Sequence, residues 1–170
     1  MITQKRLKEL LRYDPETGEF VWAIDRSSKV RAGHVAGHKH AQYGYIYIGI
    51  DGMRYRAHRL AWMYVFGEHP DAWIDHINGD VQDNRIRNLR KATPSQNQQN
   101  RGGAQRNSKS GLLGVQWWSP YGQIVSKPWR AMIRFGGKRL SLGYYATPEE
   151  AHAAYMTAKT KFHSHHRSET

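Results

Sequence analysis

The stretch from residue 73 to residue 100, WIDHINGDVQDNRIRNLRKATPSQNQQN, most constrains how this chain can fold. The apolar run 73–77 predicts a short strand, and the sequence NGD at 78–80 predicts a turn, because Asn and Gly tolerate positive φ. Residues 89–92 predict a returning strand, and a helix is expected to start at Thr93, a favoured capping residue. The stretch therefore predicts a compact strand–loop–strand–helix unit.

Three polar residues of this unit are candidates for chemistry. Asp75 and His76 are neighbours on the first predicted strand, so their side chains point to opposite faces unless the strand kinks. Asn97 lies one turn into the predicted helix and can meet Asp75 if that helix packs on the hairpin. A carboxylate and an amide carbonyl are hard oxygen ligands that suit Mg²⁺ rather than zinc. The unperturbed pKa of His76 suits a general base near neutral pH.

The order Asp75-His76, then Asn88, then Asn97 resembles the HNH motif, also called the ββα-metal nuclease motif. The likeness is strongest to phage-type HNH homing endonucleases, in which the last position is Asn. The resemblance implies that His76 activates water and that Asn88 pins the loop. It also implies that Asp75 and Asn97 hold a metal ion, expected to be Mg²⁺ with Mn²⁺ as a substitute.

A second asparagine, Asn84, competes with Asn88 for the position that pins the loop. Leu89 follows Asn88 directly, as in the Asn-Leu pair of the family, which favours Asn88. Asparagines in loops also form local turns without any catalytic role. The whole pattern is more specific than any of its dipeptides, and it is the whole pattern that indicates the nuclease fold.

Composition points to a polyanionic partner. Lys and Arg total 26 against 14 Asp and Glu, a net charge of +12, and neutralised phosphates release counterions. The absence of cysteine excludes disulfides and Cys-bound zinc, and fits a reducing cytoplasm, that of a bacterial host if the protein is phage-encoded. The longest apolar run, 60–66, is too short to span a bilayer, and the N-terminus lacks an apolar signal core.

The residues before the motif predict a small mixed scaffold: a helix at 3–12, strands at 19–23, 43–50 and 53–56, a turn at Asp51-Gly52, and a helix at 57–66 ending at Gly67. Residues 25–40 are expected to form a basic loop or a segment that faces DNA. Arg54 and Arg56 share one face of their strand and are expected to meet solvent or phosphate. His58, near the start of the second helix, is expected to be structural.

Residues 101–111, RGGAQRNSKSG, predict a flexible basic linker because they contain no large apolar residue. Such a segment can lie along a DNA groove or act only as a solvated tether. Arg101, Arg106 and Lys109 are its candidate DNA contacts.

The C-terminal part predicts strands at 114–118, 129–135 and 138–143, followed by a helix that begins at Thr147. The runs GLLGVQW and WRAMIRFGGKRLSLGYYATPEEAHAAYMTAKTKFH resemble the AP2 DNA-binding domain. That resemblance implies a sheet that enters the major groove. The candidate contacts are Trp117, Arg130, Arg134, Lys138 and Arg139, and one of Trp117 and Trp118 is expected in the core.

The sequence therefore predicts an α+β protein with a nuclease domain at 1–100, a linker at 101–111, an AP2-like domain at 112–163 and a tail at 164–170. The implied activity is site-selective hydrolysis of double-stranded DNA to 5′-phosphate and 3′-hydroxyl ends, by nicking or by a double-strand break. A monomer or weak dimer without a small-molecule cofactor or membrane partner is expected. The alternatives are a non-cleaving DNA-binding regulator that retains the scaffold, and a structure-selective or nonspecific nuclease.

Overall fold

The computed structural model describes residues 2–100, 103–105 and 107–163. The chain forms two compact units, Met1–Pro94 and Ser95–Thr170, and both mix helices with antiparallel strands, as expected for an α+β protein. The domain boundaries near residues 100 and 112 stay predictions. Within the described part of the chain, no helix is both long enough and apolar enough to cross a membrane.

The first unit contains three antiparallel sheets and two helices around one core. Its elements in chain order are α1 (Gln4–Leu10), β1 (Leu11–Tyr13), β2 (Phe20–Trp22), β3 (His38–Lys39), β4 (Ile46–Ile50), β5 (Met53–Arg56), α2 (Ala57–Phe66), β6 (Trp73–His76) and β7 (Leu89–Ala92). The pairs are β1 with β2, β3 with β4 and β5, and β6 with β7.

The first helix is shorter than the sequence predicts. Thr3 caps α1 as expected, by accepting a hydrogen bond from the Arg6 backbone N–H. The helix ends at Leu10, because Leu11 is already extended and pairs with Trp22 across the β1–β2 hairpin. Pairing with residues further along the chain thus overrides a helical pattern at 11–12, and the predicted extension of the helix to residue 12 is wrong. Leu11 is nevertheless buried, as its apolar pattern predicts.

The β4–β5 hairpin and α2 follow the sequence signals closely. Asp51 and Gly52 form the turn with positive φ angles of 48° and 77°. Gly67 ends α2 in the left-handed conformation, with φ of 91°. The stretch expected to be a loop at 25–40 contains the short strand β3, which pairs with the start of β4. That expectation is therefore wrong at residues 38–39.

The second unit contains a three-stranded sheet and one long helix. The chain continues as α3 (Pro94–Gln99), and then as β8 (Val115–Trp117), β9 (Trp129–Phe135), β10 (Lys138–Tyr145) and α4 (Pro148–Phe162). The strand order is β10–β9–β8. Thr147 and Glu150 form the expected capping box at the start of α4. The last strand extends two residues beyond its expected end, with a register shift between Ser141 and Gly143.

One face of this sheet packs against α4. The buried residues of that interface are Val115, Ala131, Ile133, Ala151, Tyr155 and Ala158. Neither Trp117 nor Trp118 is among the buried residues, so the expectation that one belongs to the core is wrong. Small residues and Tyr155 fill the interface instead, and Trp117 stays 48% exposed.

Gly114 is expected to be indispensable for this packing. Its φ is +79°, and a Cβ added there would lie inside the Tyr155 ring. Gly111, with φ of +66°, has nothing within 4 Å of such a Cβ. Gly111→Ala should therefore cost about 1–2 kcal/mol from backbone strain alone. Gly114→Ala should cost about 2–5 kcal/mol, because overpacking adds to that strain.

Urea unfolding of the two variants, followed by tryptophan fluorescence, measures this difference. Equal losses of unfolding free energy would show that Tyr155 does not pack on Gly114 as described.

Candidate functional site

The β6–β7 hairpin buries two ionisable neighbours on opposite faces of one strand. Asp75 is 5% exposed and lies opposite Arg90 in the strand register. Arg90 donates to Asp75 Oδ2 from both Nε, at 3.1 Å, and Nη2, at 3.0 Å. Hydrogen bonds between ionised groups are short and strong, and a buried carboxylate requires such a partner. The Arg90 side chain is therefore the cation that pairs with the buried Asp75 carboxylate.

His76 faces a different set of groups. It is 3% exposed, and its Nε2 lies 3.3 Å from Asn84 Oδ1. Asn84 Nδ2 donates to the carbonyl of Gln82, which turns Oδ1 toward the histidine. An amide oxygen only accepts hydrogen bonds, so the neutral ring carries its proton on Nε2 in this contact. The lone pair of the His76 ring is then on Nδ1.

Burial lowers the pKa of His76 below its ordinary value. The hydrogen bond to Asn84 and the negative charge of Asp75 both act in the opposite direction. Desolvation is the largest of these effects, so the ring is neutral near pH 7. A neutral imidazole is the protonation state that can accept a proton.

The asparagines Asn84 and Asn88 have different contacts. Asn88 Oδ1 accepts from the Asn78 backbone N–H at 3.0 Å, while Asn88 Nδ2 donates to Asn78 Oδ1 at 3.0 Å and to the Asp83 carbonyl at 2.8 Å. These bonds close the loop between β6 and β7. Asn88 thus contacts the loop, and Asn84 contacts His76.

The loop that carries Asn84 is supported by the N-terminal hairpin. Tyr13 of β1 donates from its hydroxyl to the Asn84 carbonyl at 2.7 Å, and burial raises the pKa of Tyr13 to about 12. Gly18, in the β1–β2 turn, approaches so closely that a Cβ there would lie 2.5 Å from the Arg85 nitrogen. The first strands of the chain therefore hold in place the group that contacts His76.

A cluster of rings covers the other side of His76. His58, in the first turn of α2, lies 4.9 Å from His76 between ring centroids, at an interplanar angle of 80°. The Tyr45 ring is 5.3 Å from His58 and 6.1 Å from His76. The guanidinium of Arg56 lies 4.9 Å from the centre of the Tyr45 ring. Burial lowers the pKa of His58 to about 3, so this ring is also neutral.

Asn97 lies in α3, is half-buried, and belongs to the second compact unit. Among residues 2–100, 103–105 and 107–163, no group of three or more His, Asp or Glu side chains could hold a metal ion. The side chains of Asp75 and Asn97 each carry a hard oxygen donor of the kind that suits Mg²⁺. In the structure, Arg90 already occupies the Oδ2 atom of the Asp75 carboxylate.

The candidate DNA contacts fall into two groups. Arg54 and Arg56 are exposed on β5 of the first unit. In the second unit, a groove of about 660 Å³ brings together four of the others: Lys109, Trp117, Arg134 and Arg139. Arg130 is half-buried, lies 5.6 Å from the Tyr144 ring centre and donates to Ser141, and Lys138 is exposed. Arg101, Arg106 and the tail lie outside the described residues.

Sequence reasoning did not identify Arg90, Tyr45 or His58 as parts of this site. Arg90 is opposite Asp75 only in one strand register, which the loop length does not determine by itself. Tyr45 and His58 reach His76 through tertiary packing. The sequence carries no local signal for that contact.

Comparison with known proteins finds a match to a nuclease family over part of the chain. Residues 55–99 match the HNH endonuclease family HNH_3, and this range includes Asp75, His76, Asn88 and Asn97. No curated protein sequence matches the chain. A solved structure described as "DNA binding and cleavage by the HNH homing endonuclease I-HmuI" is 23% identical, with a TM-score of 0.39 over 51% of this chain and 48% of that one. The chain thus spans about half the length of that protein.

The buried neutral His58 predicts an acid-sensitive fold. Its pKa is 6.5 in the ordinary state and about 3 in the folded protein, so the unfolded chain takes up the proton first as the pH falls. The free energy of unfolding does not depend on His58 protonation above pH 6.5, and it decreases as the pH falls from 6.5 toward 3. Between pH 6 and pH 4, wild type should lose about 1.4 kcal/mol per pH unit more than His58→Phe.

Urea unfolding of both proteins at several pH values measures this slope, with the exposed His38→Phe as the control. A difference between wild type and His58→Phe that does not change with pH would contradict the prediction.

Proposed function

We propose that this protein is a metal-dependent DNA endonuclease of the HNH homing type, which cuts double-stranded DNA at selected sites. One observation supports this most: Asp75 and His76 are buried side by side on a hairpin whose loop Asn88 closes, within the stretch that matches the HNH endonuclease family. The net charge of +12 supports a nucleic-acid substrate.

In the proposed reaction, His76 is the general base. Asn84 holds the ring through the Nε2 proton, so Nδ1 accepts a proton from a water molecule that attacks the phosphorus in line with the leaving oxygen. The bond between phosphorus and the 3′ oxygen breaks, and the leaving oxygen takes a proton from solvent, which yields 5′-phosphate and 3′-hydroxyl ends. Asn88 keeps the loop closed, so that the strand carrying His76 stays in register.

Asp75 and Asn97 would hold a divalent cation, Mg²⁺ or Mn²⁺, through their side-chain oxygens. When bound, such an ion stabilises the negative charge that builds up on the phosphate and the leaving oxygen. Arg90 stays beside the carboxylate and holds its orientation through two hydrogen bonds. This assignment rests on the motif and on the chemistry of the two donors.

The second unit is proposed to select the site as an AP2-like reading module. Arg130 and Arg134 alternate along β9 with the buried Ala131 and Ile133. Their side chains therefore project from the face of the sheet that α4 does not cover. Arg is the side chain best suited to bidentate recognition of guanine. Unit 2 would therefore anchor the protein on DNA, while unit 1 cuts.

A non-cleaving DNA-binding regulator is the second candidate. The ion pair between Asp75 and Arg90 favours it, because a carboxylate neutralised by arginine forms a stable structural contact without any metal. Cleavage by the wild-type protein would exclude this candidate.

His76→Ala is expected to abolish cleavage while leaving binding intact. Loss of a general base costs roughly 10²–10⁴-fold in rate. The measurement is incubation of a plasmid library and of phage genomic DNA with Mg²⁺ or EDTA, followed by mapping of the new 5′ ends on each strand. His38→Ala, at an exposed histidine, is the control. Equal cleavage by His76→Ala and wild type would refute the assignment of the base.

Arg130→Ala and Arg134→Ala are expected to weaken DNA binding about tenfold each, roughly the 1–3 kcal/mol of a base-reading arginine. Lys161→Ala removes one charge from α4, on the other side of the sheet, and should change affinity little. Fluorescence anisotropy with a duplex recovered by binding selection measures these affinities. The AP2-like assignment fails if all three variants bind alike.

A further inference from the structure

The His58 side chain lies against His76 in the candidate site, although its sequence context suggests only a core residue. The side chain is 3% exposed and packs edge-to-face against His76, with Tyr45 completing the ring cluster. α2 begins one residue earlier, immediately after Arg56, whose guanidinium lies over the Tyr45 ring. The junction of β5 with α2 therefore brings an imidazole against His76 and a guanidinium against Tyr45.

The ring nitrogens of His58 lack a partner within the protein. None of the hydrogen bonds between described residues includes either of them. Neither nitrogen is among the side-chain atoms that the described structure buries completely without a partner, so both keep some contact with solvent. An N–H of this ring can therefore donate to a molecule bound at His76.

The charges around His58 indicate what that molecule is. The ionisable groups that face it are Tyr45 just before β4, Arg56 from β5, Arg59 from α2 and His76 from β6, and none of these is a carboxylate. The lowered pKa of His58 keeps the ring neutral at working pH, so it offers one N–H donor. Two nearby guanidinium groups attract anions. The fitting partner is an anionic oxygen.

We propose that His58 binds the DNA substrate directly, by donating a hydrogen bond to a non-bridging oxygen of the phosphate that is cut. The contact lies beside the water that His76 activates and fixes the phosphate relative to that water. His58 exchanges no proton with the substrate, and the ring stays neutral throughout. This inference rests on the proposed function, because it requires a phosphodiester at His76.

The first test is single-turnover cleavage by His58→Phe, which keeps a ring of similar size and removes the donor. The rate should fall roughly 10–100-fold, somewhat below the loss seen when an oxyanion donor is removed. The pH profile of the remaining activity should keep the shape of wild type, because His58 does not titrate in the working range. His69→Phe is the control: it also replaces a histidine ring by phenylalanine, but that ring packs on Tyr55.

Two outcomes of this test would overturn the inference. A His58→Phe rate within about twofold of wild type would show that His58 only fills space. A pH profile that loses one limb would show that His58 transfers a proton. Assays at pH 8, with folding checked by thermal melting, separate either outcome from a folding defect.

The second test needs no cleavage. Histidine-labelled His76→Ala protein is titrated with a binding-selected duplex and Ca²⁺, and the ¹⁵N signals of the His58 ring are followed. They should shift with the natural duplex and stay in place when the cut phosphate is replaced by a neutral methylphosphonate. Unmoved His58 signals in a protein whose wild type cleaves would reject the inference alone. A shift in a protein whose wild type never cleaves would reject only the proposed activity.

Discussion

The site depends above all on the hydrogen bonds of one buried amide, that of Asn88. Its nitrogen and oxygen both bond to the loop between β6 and β7, so they fix where each strand begins. Strand register then places Arg90 opposite Asp75 and Leu89 opposite His76. A slip of one residue would exchange the two faces of the strand and bury Arg90 where Leu89 now packs. The closed loop is therefore the condition for every contact of the site.

Burial has different consequences for Asp75 and His76, the two ionisable neighbours on β6. The carboxylate of Asp75 pairs with Arg90, whereas His76 avoids charge because desolvation favours the neutral ring. Arg56 and Arg59 lie close to the ring cluster, while the carboxylates of Asp75, Asp80 and Asp83 act on His76. The cations near His58 suit an anionic substrate. A metal ion at Asp75 would share the carboxylate with Arg90.

Local signals predicted those elements whose ends are marked by the sequence itself. Gly67 ends α2, the Asp51-Gly52 turn joins β4 to β5, and Thr147 with Glu150 starts α4, each where the sequence placed it. The strand at Leu11 was missed because its partner, Trp22, comes later in the chain, and helix periodicity carries no information about that pairing.

In the candidate site, too, local sequence signals identify some residues, while the contacts made by tertiary packing could not be predicted. Asp75, His76, Asn88 and Asn97 could be proposed from spacing alone, because the motif is confined to one short stretch. The contacts of His76 with Asn84 and His58 could not, since they depend on how the loop folds back and how α2 packs on the hairpin. The sequence offered Asn84 only as a competitor for the loop position.

If unit 2 binds DNA and unit 1 cuts it, the two units would contribute differently to affinity and to the rate of cleavage. Affinity from arginines on the sheet of unit 2 comes largely from phosphate contacts, acts equally on substrate and transition state, and weakens with salt. Rate acceleration requires interactions that strengthen only as the phosphate reacts. A neutral, buried donor such as His58 contributes little to the first task, because it carries no charge to release counterions. Its place beside His76 suits the second, since negative charge grows on the phosphate oxygens during attack.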